Sequence, residues 1–114
     1  MNSYSVPPRG NLLWLAVDFD GTLAEAAPGP DENGVWPIGE PITGNIEKAR
    51  DAIRRGWKVV IHTSRPWAEY EMVEQWMNIH DVPFNKIVCG KLLAVRYIDD
   101  RGISPDAECW YPET

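Results

Sequence analysis

The chain has 114 residues, of which 44% are hydrophobic, enough to build one core and short for two, so one domain spanning 1–114 is expected. Seventeen acidic and eleven basic side chains leave a net charge of −6, which argues against a general nucleic-acid binder, although the balance nears neutrality if several aspartates converge on one cation. Cys89 and Cys109 form no C-x-x-C pair, so neither a zinc site nor a disulfide framework is signalled. The apolar run near the N-terminus is too short for a signal peptide or membrane span. A cytoplasmic protein with no membrane partner is the expectation.

Leu12 to Val17 is a continuous apolar run that stops at Asp18, the pattern of a strand buried on both faces. Residues 24–41 are then irregular, punctuated by Pro28, Gly29, Pro30, Gly34, Pro37, Gly39 and Pro41, and read as a flap loop. Ile42, Ile46, Ala49 and Ile53 form a helical stripe, and Gly56 is placed to end it. The second strand is expected over Trp57–His62. A second helix is expected from Pro66 towards Pro83, with Tyr70, Val73, Trp76, Met77 and His80 on its buried side. Ile87–Cys89 and Ala94–Ile98 complete the expected strands. Alternating strands and helices imply an α/β fold with a mainly parallel sheet in a three-layer, Rossmann-like arrangement, and ligands at the carboxyl ends of the strands.

The reactive residues fall where that rule places a site. Asp18 and Asp20 follow the first strand, Thr63 the second, Lys91 the third, and Asp99 and Asp100 the fourth. In Asp18-Phe19-Asp20 the two carboxylates share one side of an extended backbone while Phe19 turns inward. Such a pair suits divided labour: one carboxylate attacks phosphorus, and the other gives and takes the proton. A hard cation held by carboxylates, together with a lysine, would neutralise the transferring oxygens. Each assignment has a plainer counterpart. Asp99-Asp100 could cap a turn, Arg65 and Arg101 could pair with neighbouring acids instead of substrate, and His62 and Trp36 could simply pack. Lys86 competes with Lys91, and Arg50, Arg54, Arg55 and Lys58 could be a solvated helix face paired with Glu47 and Asp51.

The string D-F-D-G-T-L at 18–23 closely resembles the first motif of the haloacid dehalogenase superfamily. V-V-I-H-T-S-R at 59–65 resembles its second, Lys91 in C-G-K supplies the third, and Y-I-D-D-R at 97–101 resembles the fourth. The motifs occur in the family's order across nearly the whole chain. The stretch W-P-I-G-E-P at 36–41 is similar to short stand-alone members, and the order of the later motifs is loosely similar to the 3'-phosphatase domain of phage polynucleotide kinase-phosphatases.

The resemblance implies a Rossmann-like core, an aspartyl-phosphate intermediate and Mg²⁺. By carry-over, Asp18 would be nucleophile and metal ligand, and Asp20 the general acid/base whose carbonyl also touches the metal. Thr63 would hydrogen-bond the phosphoryl group and Lys91 would bridge it to the nucleophile. Asp99 and Asp100 would complete the metal site, with Asp100 favoured as the direct ligand. Thr63, Ser64, Arg65 and Arg101 would contact substrate. The implied function is Mg²⁺-dependent hydrolysis of a phosphomonoester, such as a nucleotide, a nucleic-acid 3'-phosphate end or a sugar phosphate. The alternatives are a phosphotransferase using the same site and a non-catalytic binding module of the same fold. With a cap no larger than the 24–41 flap, the site should be open, a form that acts on large substrates or is covered by a second copy in a homo-oligomer. Its groups would stand on strand ends, independent of the flap.

Overall fold

The computed structural model describes residues 13–112. It contains β1 (Trp14–Val17), α1 (Thr43–Arg54), β2 (Lys58–His62), a 3-10 turn over Trp67–Glu69 leading into α2 (Tyr70–Ile79), and β3 (Lys86–Val88). The strands form a parallel sheet in the order β1-β2-β3, with Val17 opposite Ile61 and Ile61 opposite Ile87. This is an α/β fold of the Rossmann-like kind, with each crossover made by a helix.

The period of two along each strand decides which face is buried. Val17, Val59, Ile61 and Ile87 point into one core with Ile46, Ala49 and Ala52 of α1 and Val73, Trp76 and Met77 of α2. Both helices therefore cover the same face. Trp14 and Ala16 are exposed and Val60 and Val88 half-buried on the opposite face, which corrects the expectation that the first strand is buried on both sides. Among the described residues two layers are seen, and a third layer over the far face is not.

Both helices end in the same way. Gly56 (φ 92°) follows α1, with Trp57 N–H bonded to the Ala52 carbonyl at 3.0 Å and Gly56 N–H to that of Ile53 at 3.0 Å. Asp81 (φ 55°) follows α2, with Val82 N–H on the Met77 carbonyl at 2.8 Å and Asp81 N–H on that of Asn78 at 3.2 Å. These are left-handed closures that satisfy the last carbonyls. Glycine makes the first at no steric cost, and aspartate, which tolerates this region, makes the second. The start of α1 has no side-chain cap; instead Asn45 Nδ2 donates to the Thr22 carbonyl at 2.8 Å, tying the helix to the turn after β1.

The fourth expected strand is absent. Residues 94–98 pair with no strand, and Val95 and Ile98 are 99% and 94% exposed. An apolar, β-branched run has strand propensity, but a strand exists only where a sheet edge accepts it. Here local bonds close the segment on itself. The Tyr97 hydroxyl donates to the Leu92 carbonyl, and Asp99 Oδ1 accepts from Arg101 N–H at 2.8 Å and Gly102 N–H at 2.6 Å.

The chain then returns to α1. Lys48 Nζ donates to the Pro105 carbonyl at 3.0 Å, Trp110 Nε1 to the same carbonyl at 3.1 Å, and the Tyr111 hydroxyl to Asp51 Oδ2 at 2.6 Å. Arg50, Arg54 and Arg55 pair with Glu47 and Asp51 on the solvated face of α1. Among the described residues no helix is long and apolar enough to cross a membrane.

Candidate active site

Asp18 and Asp20 emerge at the carboxyl end of β1, both half-buried, and Phe19 between them is wholly buried. The Phe19 ring meets Trp76 of α2 edge-on, 5.2 Å between centroids and 89° between planes, the arrangement favoured by the ring quadrupoles. Burying this ring fixes the backbone from which both carboxylates extend. Gly21 (φ 82°) then reverses the chain, and the amides of Thr22, Leu23 and Ala24 converge on the Phe19 carbonyl at 2.9–3.2 Å. Asp18 Oδ1 accepts from Phe19 N–H at 2.8 Å.

The ends of β2 and β3 are joined through the main chain. Thr63 N–H donates to Val88, Lys91 N–H to Thr63, and Gly90 N–H to Arg65, each at 2.9 Å. Thr63 is 1% exposed, and its Oγ1 accepts from Arg65 N–H at 3.0 Å. Ser64 is half-buried. The Lys91 ammonium lies over the Tyr97 ring, 4.5 Å from its centroid, a cation–π contact. Thr63 and Lys91 thus share a backbone junction, while the lysine head is turned onto an aromatic ring.

Arg65 differs from the expectation that it contacts substrate. It is 6% exposed, and all five of its N–H donors are used. Nε donates to Asp20 Oδ2 and Nη2 to Asp20 Oδ1, both at 2.8 Å. Nη1 donates to Glu69 Oε1 at 2.9 Å and to the Trp36 carbonyl at 2.6 Å, and Nη2 to the Pro37 carbonyl at 3.2 Å. Burial works against its charge, but the bonds to Asp20 and then Glu69 outweigh that and hold its pKa above the ordinary value. Arg65 is an internal tie. The expectation that the site is independent of the flap is corrected by the same bonds, because two flap carbonyls hold the guanidinium that holds Asp20.

Asp99 and Asp100 do not join this group. Asp99 caps the 99–102 turn, and the two backbone bonds hold its carboxyl below the usual range. Asp100 keeps 89% of its side chain exposed, with Arg101 Nε 3.9 Å from it, and the Arg101 side chain is itself largely exposed. The plainer reading of the acidic pair, a turn cap, describes Asp99. Concavities of about 280 and 260 Å³ are lined by residues outside the candidate set, one between α1 and Glu108–Tyr111 and one at Met77–Pro83.

No family model and no curated protein matches the sequence. Among solved structures, the crystal structure of a structural-genomics target from Vibrio cholerae is similar, with 31% identity over 81% of this chain and 83% of that one and a TM-score of 0.65. The chain belongs to the family of that Vibrio cholerae protein. The relative's description names a target and no activity, so what the family shares here is the fold over four-fifths of the chain.

The donors can be tested against a metal ion. Among the described residues no group of three or more His, Cys, Asp or Glu side chains stands close enough to hold one. Asp18 supplies a half-buried carboxylate, but both Asp20 oxygens face Arg65 and the acidic pair lies in its own turn. The arrangement is therefore no all-protein cage; Mg²⁺, which keeps several waters and takes one or two carboxylates together with substrate oxygens, would be held by the Asp18 carboxylate and the Asp20 main-chain carbonyl. Glu69 and the flap carbonyls are the site partners that sequence reasoning missed. Glu69 had a signal, the i, i+4 spacing from Arg65 at the start of a helix; the carbonyls had none. Cys89 is buried, and burial followed by the nearby Glu69 charge pushes its thiol up, consistent with an inert packing residue.

Proposed function

We propose that this chain is a phosphomonoester hydrolase of haloacid-dehalogenase type, with Asp18 as the nucleophile and Asp20 as the general acid/base. The observation that supports it is the Asp18-Phe19-Asp20 geometry: two half-buried carboxylates at a strand end, on either side of a wholly buried ring. In the first step an Asp18 oxygen forms a bond to phosphorus as the bond to the leaving oxygen breaks, and that oxygen takes a proton from Asp20. In the second, water attacks phosphorus and gives its proton to Asp20. The Asp18–phosphorus bond breaks, and phosphate leaves.

A carboxylate offers about four acceptor sites. Arg65 occupies one on each Asp20 oxygen, leaving others for the proton that Asp20 must take up before the first step and regains from water in the second. Thr63 and Lys91, brought together at the β2–β3 junction, would bind the phosphoryl oxygens once the lysine leaves Tyr97. Mg²⁺ belongs to this reading through the sequence resemblance, and no step above uses it. The substrate class stays at phosphomonoesters, since the flap is small and specificity in such sites lies in what covers them.

A panel of phosphate esters, assayed with Mg²⁺ on wild type and Asp18→Asn, tests the reading. Turnover of at least one ester by the wild type and its loss in a folded Asp18→Asn variant are expected. Equal rates in both would reject Asp18.

A further inference from the structure

The flap is tied at its neck, stiffened near its tip and held between them by Arg65. At its neck, Glu25 N–H donates to the Glu40 carbonyl at 2.7 Å, and Trp76 Nε1 of α2 to the Gly39 carbonyl at 3.2 Å. The limbs approach so closely that a Cβ on Gly39 would lie 2.3 Å from the Glu25 carbonyl oxygen. Nearer the tip, Asp31 closes its own turn, Oδ1 accepting from Asn33 N–H at 2.8 Å and Val35 N–H at 2.9 Å. Between these lie Trp36 and Pro37, whose carbonyls meet Arg65.

We propose that Arg65 is a positioning residue that joins the flap and Asp20 into one mechanical unit, so that the place of the flap sets where the Asp20 carboxylate points. The catalytic consequence rests on the phosphohydrolase reading above; the coupling itself does not.

The flap-side acceptors are main-chain carbonyls, so flap side chains can vary without loosening the tie, whereas displacing the flap backbone removes two acceptors from a buried guanidinium. The planar fork then has reason to rotate, and its Nε and Nη2 carry Asp20 with them. Glu69, on the turn entering α2, fixes the fifth donor and prevents Arg65 from following the flap outward. A lysine could not replace this, because its one nitrogen cannot span two carboxylate oxygens, a second carboxylate and two carbonyls. A shift of the flap backbone would thereby move the proton-transfer group. The scheme uses no contact between Arg65 and substrate.

Amide exchange read by NMR tests the coupling without activity, in wild type, Arg65→Lys and Asp20→Asn. The Glu25 and Val35 amides are expected to exchange faster in both variants by about tenfold, the scale of one hydrogen bond's protection. The Ile61 and Ala52 amides should be unchanged and report that the fold is intact. If Arg65→Lys does not fold, Asp20→Asn carries the same test from the other end of the tie. Unchanged flap amides in a folded Asp20→Asn protein would overturn the coupling.

The catalytic arm compares phenyl phosphate with nitrophenyl phosphate. Arg65→Lys should lower kcat more on phenyl phosphate, which needs the proton, with KM within about twofold of wild type. A raised KM with unchanged kcat would make Arg65 a substrate contact and overturn its positioning role. Wild type that turns over neither ester would refute the phosphohydrolase reading, while the exchange result would still decide the coupling.

Discussion

Nε and Nη2 of Arg65 each lie 2.8 Å from a different oxygen of Asp20, so the guanidinium plane and the carboxylate face each other as a two-pronged pair. The arginine side is buried and the aspartate side keeps a third of its surface. Such a pair is worth less for its net attraction than for what happens when it is broken, since the remaining charges lose their partner in a medium that solvates them poorly.

Arg65→Met should therefore destabilise the protein even though it adds no polar group. Removing one partner of a buried pair costs about 3–5 kcal/mol, and the partial exposure of Asp20 places the expected loss at about 2–4 kcal/mol. Urea unfolding monitored by far-UV circular dichroism would measure it. A loss below about 0.5 kcal/mol, the scale of ordinary surface changes, would contradict the burial and bonding described for this side chain.

The C-terminal segment gives a pH dependence with a defined sign. The Tyr111 hydroxyl donates to Asp51, and this bond, then burial, pushes the Tyr111 pKa from 10.0 up to about 12. A group whose pKa is raised on folding contributes stability that is fully present below the unfolded value and is lost as pH rises through the folded one. The docking of 104–111 should accordingly be intact below pH 10 and weaken between pH 10 and about 12. Tyr111→Phe should be less stable than wild type at neutral pH and should lose less on going to alkaline pH. Thermal melts of both proteins across that range would show it, and parallel curves would contradict it.

Chelation addresses the metal. The strands and helices are held by one apolar core and by their own backbone bonds, so a chelator should stop ester hydrolysis while leaving the far-UV spectrum and the unfolding midpoint unchanged. Loss of secondary structure on chelation would mean that a metal is part of the fold. Full activity in excess chelator would remove Mg²⁺ from the proposed function.

The parts legible in the sequence are those whose cause is local. Short apolar runs located β1, β2 and β3, and a 3.6-residue stripe located α1 and α2, to within a few residues, although the run at β1 has the pattern of a strand buried on both faces and is buried on one. The Gly56 stop and the inward turn of Phe19 between two aspartates follow from backbone geometry. What was not legible depends on partners distant in the chain. Ala94–Ile98 has the composition of a strand, and nothing within it says whether a sheet edge accepts it. Arg65 looks like a rim cation by position, but its fate is decided by Asp20, 45 residues earlier, and by carbonyls whose placement no side-chain pattern encodes. The acidic pair failed in a similar way, since the Asp99 carboxylate found two amides in its own turn before any distant carboxylate.

In the proposed reaction Asp18 carries the phosphoryl group between the two steps. Acid-quenching wild-type protein during turnover of the best ester in the panel, followed by peptide mass mapping, tests it most directly. The added mass of one phosphoryl group is expected on the peptide bearing Asp18, absent from Asp18→Asn and before substrate is added. Phosphoryl mass on another residue, or turnover in Asp18→Asn at the wild-type rate, would contradict it.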